Sequence, residues 1–421
     1  MSNGMSKERY PLTYAAWTKD DELRFNSTSG GIFSEISKQI IKAGGYVCAA
    51  RYNEDNVVEH YIVNDMDGLV CLRQSKYTQS DLGNIYSEVK DLLNKNNFVL
   101  FCGAPCQIAG LRSFLYKKYG KLVCVDFICR GVNSPKAYRS WLKEIEKIEG
   151  SKVTRVWFKY KDGGWKSSPK RTRIDFLDGR TKVYDQEDNL FMKGYLESNL
   201  YIRQSCCCCQ FKGLPRMGDI TLADFWGIDK YYDTDQGTSL VLVNSKKGEK
   251  IWNLCNENIQ SYRQDFASLL SSNPMFDKSA EYNHEESRFL RRVNEDNFSE
   301  LVIKYTQKSI FKKLKKKMNI SDEKYLNDKS NELVKNIEYN GVHDKGEQCE
   351  SQVPTLYRYK KNCMGCTACF SVCPKDAIEM DEDIEGFKYP IIDAKKCIRC
   401  GLCLKACPIK NTSKEIDKEI G

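Results

Sequence analysis

Residues 98–131 read FVLFCGAPCQIAGLRSFLYKKYGKLVCVDFICRG. Phe98–Cys102 is an apolar run of strand length, Gly103-Ala104-Pro105 turns it, and Cys106-Gln107-Ile108-Ala109-Gly110-Leu111 continues as a helix. Leu122–Ile128 is a second unbroken apolar strand, ending at Cys129-Arg130-Gly131. Strands that are apolar at every position, with a helix between them, imply a parallel sheet covered on both faces. The sequence before them keeps the same rhythm. Gly30-Gly31 opens a helical pattern (Ile32, Phe33, Ile36, Ile40, Ile41), Tyr46–Ala50 and Val57–Asn64 read as strands, and residues 85–95 as a helix. Residues 1–310 are therefore expected to form an α/β (mixed α+β) body with a parallel-rich sheet. Cys106 and Cys129 would each follow the carboxyl end of a strand, on the edge where open α/β sheets bind ligands. A helix start at Cys106 favours the thiolate.

Cysteine is the outlying residue type, with 20 in 421 residues. Met1–Tyr10 is polar and carries no secretory leader pattern, and no apolar run approaches the roughly 18 residues of a membrane helix. A secreted disulfide scaffold and an integral membrane protein are disfavoured, which leaves the expectation of a cytoplasmic protein whose cysteines act as thiolates. Eight of them form two runs, Cys363-x-x-Cys366-x-x-Cys369-x-x-x-Cys373-Pro374 and Cys397-x-x-Cys400-x-x-Cys403-x-x-x-Cys407-Pro408. This duplicated spacing is that of a two-cluster bacterial-type ferredoxin, in which the fourth cysteine of each run serves the other cluster. Cys363, Cys366, Cys369 and Cys407 are thus assigned to one [4Fe-4S] cluster, and Cys397, Cys400, Cys403 and Cys373 to the second. Zinc closes with four ligands and needs no third cysteine per run. Ala377–Met380 and Tyr389–Ile392 read as the module's short strands, with a turn at Glu385-Gly386.

In the body, Cys206-Cys207-Cys208-Cys209 are consecutive. Cys206 and Cys209 have the usual chelating gap, and with Cys106 and Cys129 they would complete a third [4Fe-4S] site, zinc being the rival. Cys207 and Cys208 are spare thiols or alternates. Cys48, Cys71, Cys102, Cys124, Cys255 and Cys349 read mostly as small buried hydrophobes. The net charge of +9 lies partly in Lys312–Lys317, read as a solvated helix face. No nucleic-acid-binding module accompanies it. Residues 311–352 read as a basic, polar helical linker, and residues 353–421 as the ferredoxin domain. Residues 355–421 hold 12 Lys/Arg and 10 Asp/Glu, which does not mark a module meeting a basic partner by charge.

Ser29-Gly30-Gly31, Ser75-Lys76-Tyr77-Thr78-Gln79-Ser80, Gly103–Gln107, Cys129–Pro135, Ser205–Phe211 and Gly218–Gly227 together resemble the coenzyme F-420 hydrogenase/dehydrogenase beta-subunit family, in its bacterial branch associated with surface-polysaccharide gene clusters. The resemblance implies a flavoprotein with FAD beside a [4Fe-4S] cluster. It makes Ser29, Gly30, Gly31, Ser75, Lys76, Gln79, Ser80, Asp224 and Trp226 the flavin-contacting candidates. Lys76 and Tyr77 become the candidate proton donors. The family commonly has His where Arg130 stands, and His60, His284 and His343 fall in no motif. Many relatives also carry the ferredoxin module at the N-terminus.

The expected function is that of an oxidoreductase. A small ferredoxin or flavodoxin exchanges electrons with the C-terminal clusters, which connect through the body cluster and FAD to a small organic substrate. A deazaflavin-dependent oxidoreductase and a non-catalytic electron-transfer subunit are the alternatives. Pocket specificity is expected from dispersed residues such as Trp165, Arg171, Arg173 and Tyr195.

Overall fold

The computed structural model describes residues 11–166, 171–306 and 353–411. The linker at 311–352 and the basic run Lys312–Lys317 lie outside the described residues, as does Cys349. The body's strands are β1 (Leu12–Thr18), β2 (Tyr46–Tyr52), β3 (Val58–Val63), β4 (Val99–Cys102), β5 (Leu122–Phe127), β6 (Val153–Phe158), β7 (Thr172–Phe176), β8 (Thr181–Tyr184), β9 (Ile220–Asp224), β10 (Ser239–Val243) and β11 (Ile259–Arg263). Its helices include α1 (Ile32–Lys42), α2 (Ile85–Asn94), α3 (Pro105–Leu115), α4 (Pro135–Glu149) and α5 (Leu190–Ser198).

Eight strands form one mixed sheet in the order β11-β1-β10-β9-β5-β4-β2-β3. Its centre, β2, β4, β5 and β9, is parallel. Antiparallel strands flank that block on both sides. Parallel pairing is thus confined to the middle of the sheet. The apolar runs divide between two faces by the period of two along a strand. Val99, Phe101, Leu122 and Cys124 meet α2 and α3, while Leu100, Val123 and Val125 meet Ile32, Ile36 and Ile40 of α1. A second, antiparallel sheet, β6-β7-β8, packs its inward residues against α4 and α5 in a separate aromatic core.

The C-terminal module pairs β12 (Ile378–Glu382) with β13 (Lys388–Ile392) around a turn in which Gly386 has φ +83°. It is docked on the body. Phe387 and Tyr389 belong to the aromatic core of the second sheet, and Met364, Ala368 and Ala406 to the core under α2 and α3. Of the cysteines read as structural, Cys48, Cys124 and Cys255 are buried, whereas Cys102 is half-buried and Cys71 exposed. The buried reading therefore fails at Cys71, which sits on the solvent side of the helix Met66–Leu72.

Candidate functional site

Two hollows lie in the C-terminal module. One is lined by Cys363, Cys366, Cys369 and Cys407. The other is lined by Cys373, Cys397, Cys400 and Cys403. Each run thus places three cysteines at one hollow and its fourth at the other, the crossed arrangement expected from the spacing. Apolar side chains complete the walls, Leu356 and Ile409 at the first and Ile378, Ile392 and Leu402 at the second. Among the described residues no three Cys, His, Asp or Glu converge at single-ion spacing. The corners of a cubane lie farther apart than the ligands of one ion.

In the body, the parallel registry of β4 with β5 brings Cys106 and Cys129 to the same sheet edge. Cys106 is in the first turn of α3, where Gln107 Oε1 accepts from the Ala104 N–H at 2.9 Å. The chain at Tyr201–Arg203 runs alongside Val132–Ser134, through Ser134 N–H to Tyr201 O and Arg203 N–H to Val132 O. Cys206, in the 3-10 turn that follows, is thereby brought beside Gly131. A Cβ at Gly131 would lie 3.2 Å from that of Cys206, and its φ of +149° suits glycine. Burial raises the Cys106 thiol, and the charges of Cys209, Cys129 and Cys206 raise it further. Cys129 and Cys206 are raised by burial too, and each is influenced by Cys209. The helix start at Cys106 therefore does not produce the thiolate expected there, because burial among other thiols opposes it. Ligation is what would deprotonate such a group. Cys208 is exposed, with its Sγ 3.6 Å from Lys361 O.

The body thiols and the first hollow share one helix. Gly110 lies one turn beyond Cys106 on α3, and the space a Cβ would fill there is taken by Cys366, with Cβ at 2.9 Å and Sγ at 3.0 Å. The charge of Cys366 also reaches Cys106. The second hollow is tied to the body more lightly, through Tyr116 Oη donating to Leu402 O at 3.2 Å. Replacing Gly110 with leucine is expected to loosen module docking by about 1–3 kcal/mol through overpacking. Small-angle scattering of the full chain would report the expansion.

Arg203 closes the seam from the other side. It is fully buried, and its guanidinium donates to Cys363 O, Gln79 Oε1 and Lys388 O at 2.9–3.1 Å. It also lies 4.2 Å from the Tyr389 ring centroid. Gln79 donates in turn to Met364 O, so this flavin candidate is engaged at the module seam. Ser80 accepts from Gln107 Nε2.

The remaining candidates gather at the same sheet edge. Ser75 N–H donates to Thr28 Oγ1 and Gln74 Nε2 to Asn26 O, which joins the two candidate loops. Ser29 Oγ donates to Thr238 O, and Gly30 N–H to Ser239 Oγ. A Cβ at Gly30 would stand 2.4 Å from Ala16 O, so packing against β1 already requires this glycine. Gly31 caps α1 with φ +83°.

Lys159, just past β6, forms a close ion pair with Asp224 at the end of β9, and its Nζ is 4.9 Å from the Trp226 ring centroid. Trp226 stacks parallel on Trp165 at 4.5 Å. Burial opposes the Lys159 charge, but Asp224 and Tyr77 outweigh it and hold the ammonium. Lys161 Nζ donates to the carbonyls of Arg24, Ser29 and Gln236, and burial brings it down to about 7. Lys76 is also lowered by burial to about 7 and donates to Arg73 O. Tyr77 meets Tyr195 at 5.7 Å, and Tyr195 is influenced by Cys129 and Cys206. An aromatic pair therefore spans from the Lys159–Asp224 pair to the body thiols.

Lys159 and Lys161 are contributors the motifs do not reveal, and Tyr195 joins them from the dispersed residues. Arg171 and Arg173 pair with Asp185 and Asp175. Arg130 donates to Leu196 O and Asn199 Oδ1. His60 is buried against Phe101 and lowered by that burial to about 4.

Comparison with known proteins places both regions. Short stretches of the chain are similar to several ferredoxin-type proteins. An uncharacterized ferredoxin of Methanocaldococcus jannaschii is 45% identical over 49 residues, 11% of this chain and 29% of that protein. A component of the Na(+)-translocating ferredoxin:NAD(+) oxidoreductase complex of Acetobacterium woodii is 46% identical over 46 residues, 11% of this chain and 13% of that one. NADH-quinone oxidoreductase subunit I 2 of Geobacter metallireducens is 44% identical over 55 residues, 12% and 42%. The chain spans less than half the length of these three relatives. A chain of the F420-reducing [NiFe] hydrogenase complex from Methanosarcina barkeri superposes with a TM-score of 0.44 at 15% identity, covering 72% of this chain and 92% of that one. Over residues 97–266 the chain matches the family described as the C terminus of the Coenzyme F420 hydrogenase/dehydrogenase beta subunit, and over residues 362–411 it matches the 4Fe-4S dicluster domain.

Proposed function

We propose that this chain is an iron–sulfur flavoprotein oxidoreductase linking a one-electron protein carrier, a small ferredoxin or flavodoxin, to a small organic substrate. The observation that carries the reading is the position of Cys106, grouped with Cys129, Cys206 and Cys209, one turn of α3 from a cysteine-lined hollow of the ferredoxin module. Bound there, [4Fe-4S] clusters carry single electrons, and FAD exchanges them in pairs with the substrate. Cys363, Cys366, Cys369 and Cys407 would hold one cluster, Cys397, Cys400, Cys403 and Cys373 the second, and Cys106, Cys129, Cys206 and Cys209 a third. The domain limits accompanying this reading are a body over 1–310, a linker over 311–352 and the module over 353–421.

Flavin at the Ser29 and Ser75 loops is supported by the side chains around them. Thr238 Oγ1, Asn133 Oδ1, Arg24 Nη2 and Arg73 Nε are buried without a protein partner, which suits a polar ligand. Trp226 offers an aromatic face, and Lys159 keeps its positive charge beside it. Lys76, with its amine near 7, and Tyr77 are placed to exchange protons. A surface-polysaccharide role rests on the family resemblance.

The family description favours a second reading, in which coenzyme F420 is the reaction partner. Anaerobic purification tests both. We expect about 12 iron atoms per chain and one releasable FAD, with no turnover of F420. About 8 iron and one zinc would reject the third cluster, and F420 reduction would favour the second reading. Full iron without flavin would leave a non-catalytic electron-transfer subunit.

A further inference from the structure

The acids and bases of the C-terminal module are segregated. Glu379, Asp381, Glu382, Asp383 and Glu385 lie on the β12–β13 hairpin. Several are matched: Glu382 pairs across the seam with Arg139 of α4, and Asp383 and Glu385 pair with Lys360 within the module. Between residues 393 and 411 the balance reverses. Lys395, Lys396, Arg399, Lys405 and Lys410 are exposed there, against a single carboxylate, Asp393.

Of these cations, Lys395, Lys396 and Arg399 adjoin Cys397, Ile398 and Cys400 in the wall of the second hollow. Its wall includes Lys375 and Ile398, and Ile398 is 55% exposed. Cys400 is an exposed member of its cysteine set. The body adds to the same rim, because Tyr116, bonded to Leu402 O, is followed by exposed Lys117 and Lys118. The first hollow differs in kind, since Gly110 and Arg203 turn it toward the body.

We propose, resting on the iron–sulfur reading above, that this rim, centred on Ile398, docks an acidic one-electron carrier protein and makes the second hollow the point where electrons cross to or from that carrier. Positive charge around a small apolar centre suits a transient complex, in which charge steers the encounter and an apolar contact seats it. Each encounter moves one electron between the carrier and the module, with no bond or proton changing hands. An anionic membrane would also attract the cations. The ring of charge around a redox hollow favours the carrier.

The test is binding, measured on the full anaerobically purified chain by calorimetry with an oxidised acidic 2[4Fe-4S] ferredoxin. The wild type is expected to lose about tenfold or more in affinity between about 20 mM and about 300 mM salt. Lys395→Glu/Lys396→Glu/Arg399→Glu should weaken binding about tenfold or more at low salt, with iron content unchanged. Ile398→Ser should weaken binding without altering its salt dependence. A zwitterionic viologen should reduce all variants equally. Undiminished ferredoxin binding in the charge-reversed chain overturns the proposal. So does binding to phosphatidylglycerol vesicles, lost on charge reversal, with none to ferredoxin. An iron count near 8 with normal carrier binding would instead remove only the body cluster and leave this docking surface standing.

Discussion

Replacing Cys106 with alanine is expected to lower bound iron from about 12 to about 8 atoms per chain and to leave the signals of the two C-terminal clusters intact. Cys106 lies among Cys129, Cys206 and Cys209, whose charges raise its thiol, and no alternative thiol replaces it on α3. Reductant supplied to the module should then still reduce its clusters, while flavin reduction stops. Cys255→Ala supplies the control, because that buried cysteine packs under the other face of the sheet. Retention of all iron in the Cys106 variant would sink the assignment. The raised thiols also fix the sign of a pH effect. Cys106, Cys129 and Cys206 hold their protons in the unligated body, so assembly releases protons and reconstitution should weaken as pH falls. A reconstitution yield independent of pH would contradict it.

The second large effect is expected at Arg203. Its guanidinium donates to Gln79 and to two carbonyls of the module, and alanine would remove the donor from all three half-buried acceptors. With charged hydrogen bonds at roughly 1.5–3 kcal/mol each, a loss on the order of 5 kcal/mol of docking free energy is expected. Hydrogen exchange should show residues 363–389 losing protection while β4 and β5 keep theirs. Arg203→Lys keeps the charge but not the three-pronged geometry, so partial recovery is expected. Unchanged protection in the alanine variant would mean that apolar contacts alone hold the module.

The parts legible in the sequence are those whose signals are local. β4, α3 and β5 follow from two apolar runs and a Gly-Ala-Pro turn, and the crossed cysteine hollows follow from spacing alone. β1 was not legible, because its partners β10 and β11 lie more than 200 residues away. The second sheet did leave a trace. Asp178-Gly179, with Gly179 at φ +85°, is a hairpin signal between β7 and β8. Missing that sheet also hid Lys159 and Lys161, which become site residues only when β6 delivers them opposite Asp224. Gly30 shows the converse. Its motif suggested flavin contact, yet its close approach to Ala16 O is explained by packing. The engagement of Gln79 with the module was unreadable for another reason, since it depends on where a separate module docks.

Phe387 and Tyr389 complete the aromatic core that α4, α5 and the second sheet begin. During synthesis the ribosome delivers that hairpin after every strand of the body, so the nascent body carries an open aromatic cleft until then. Closure of that aromatic interior thus waits on the C-terminal module, and a chain whose hairpin failed to fold would expose the body to chaperones and proteases.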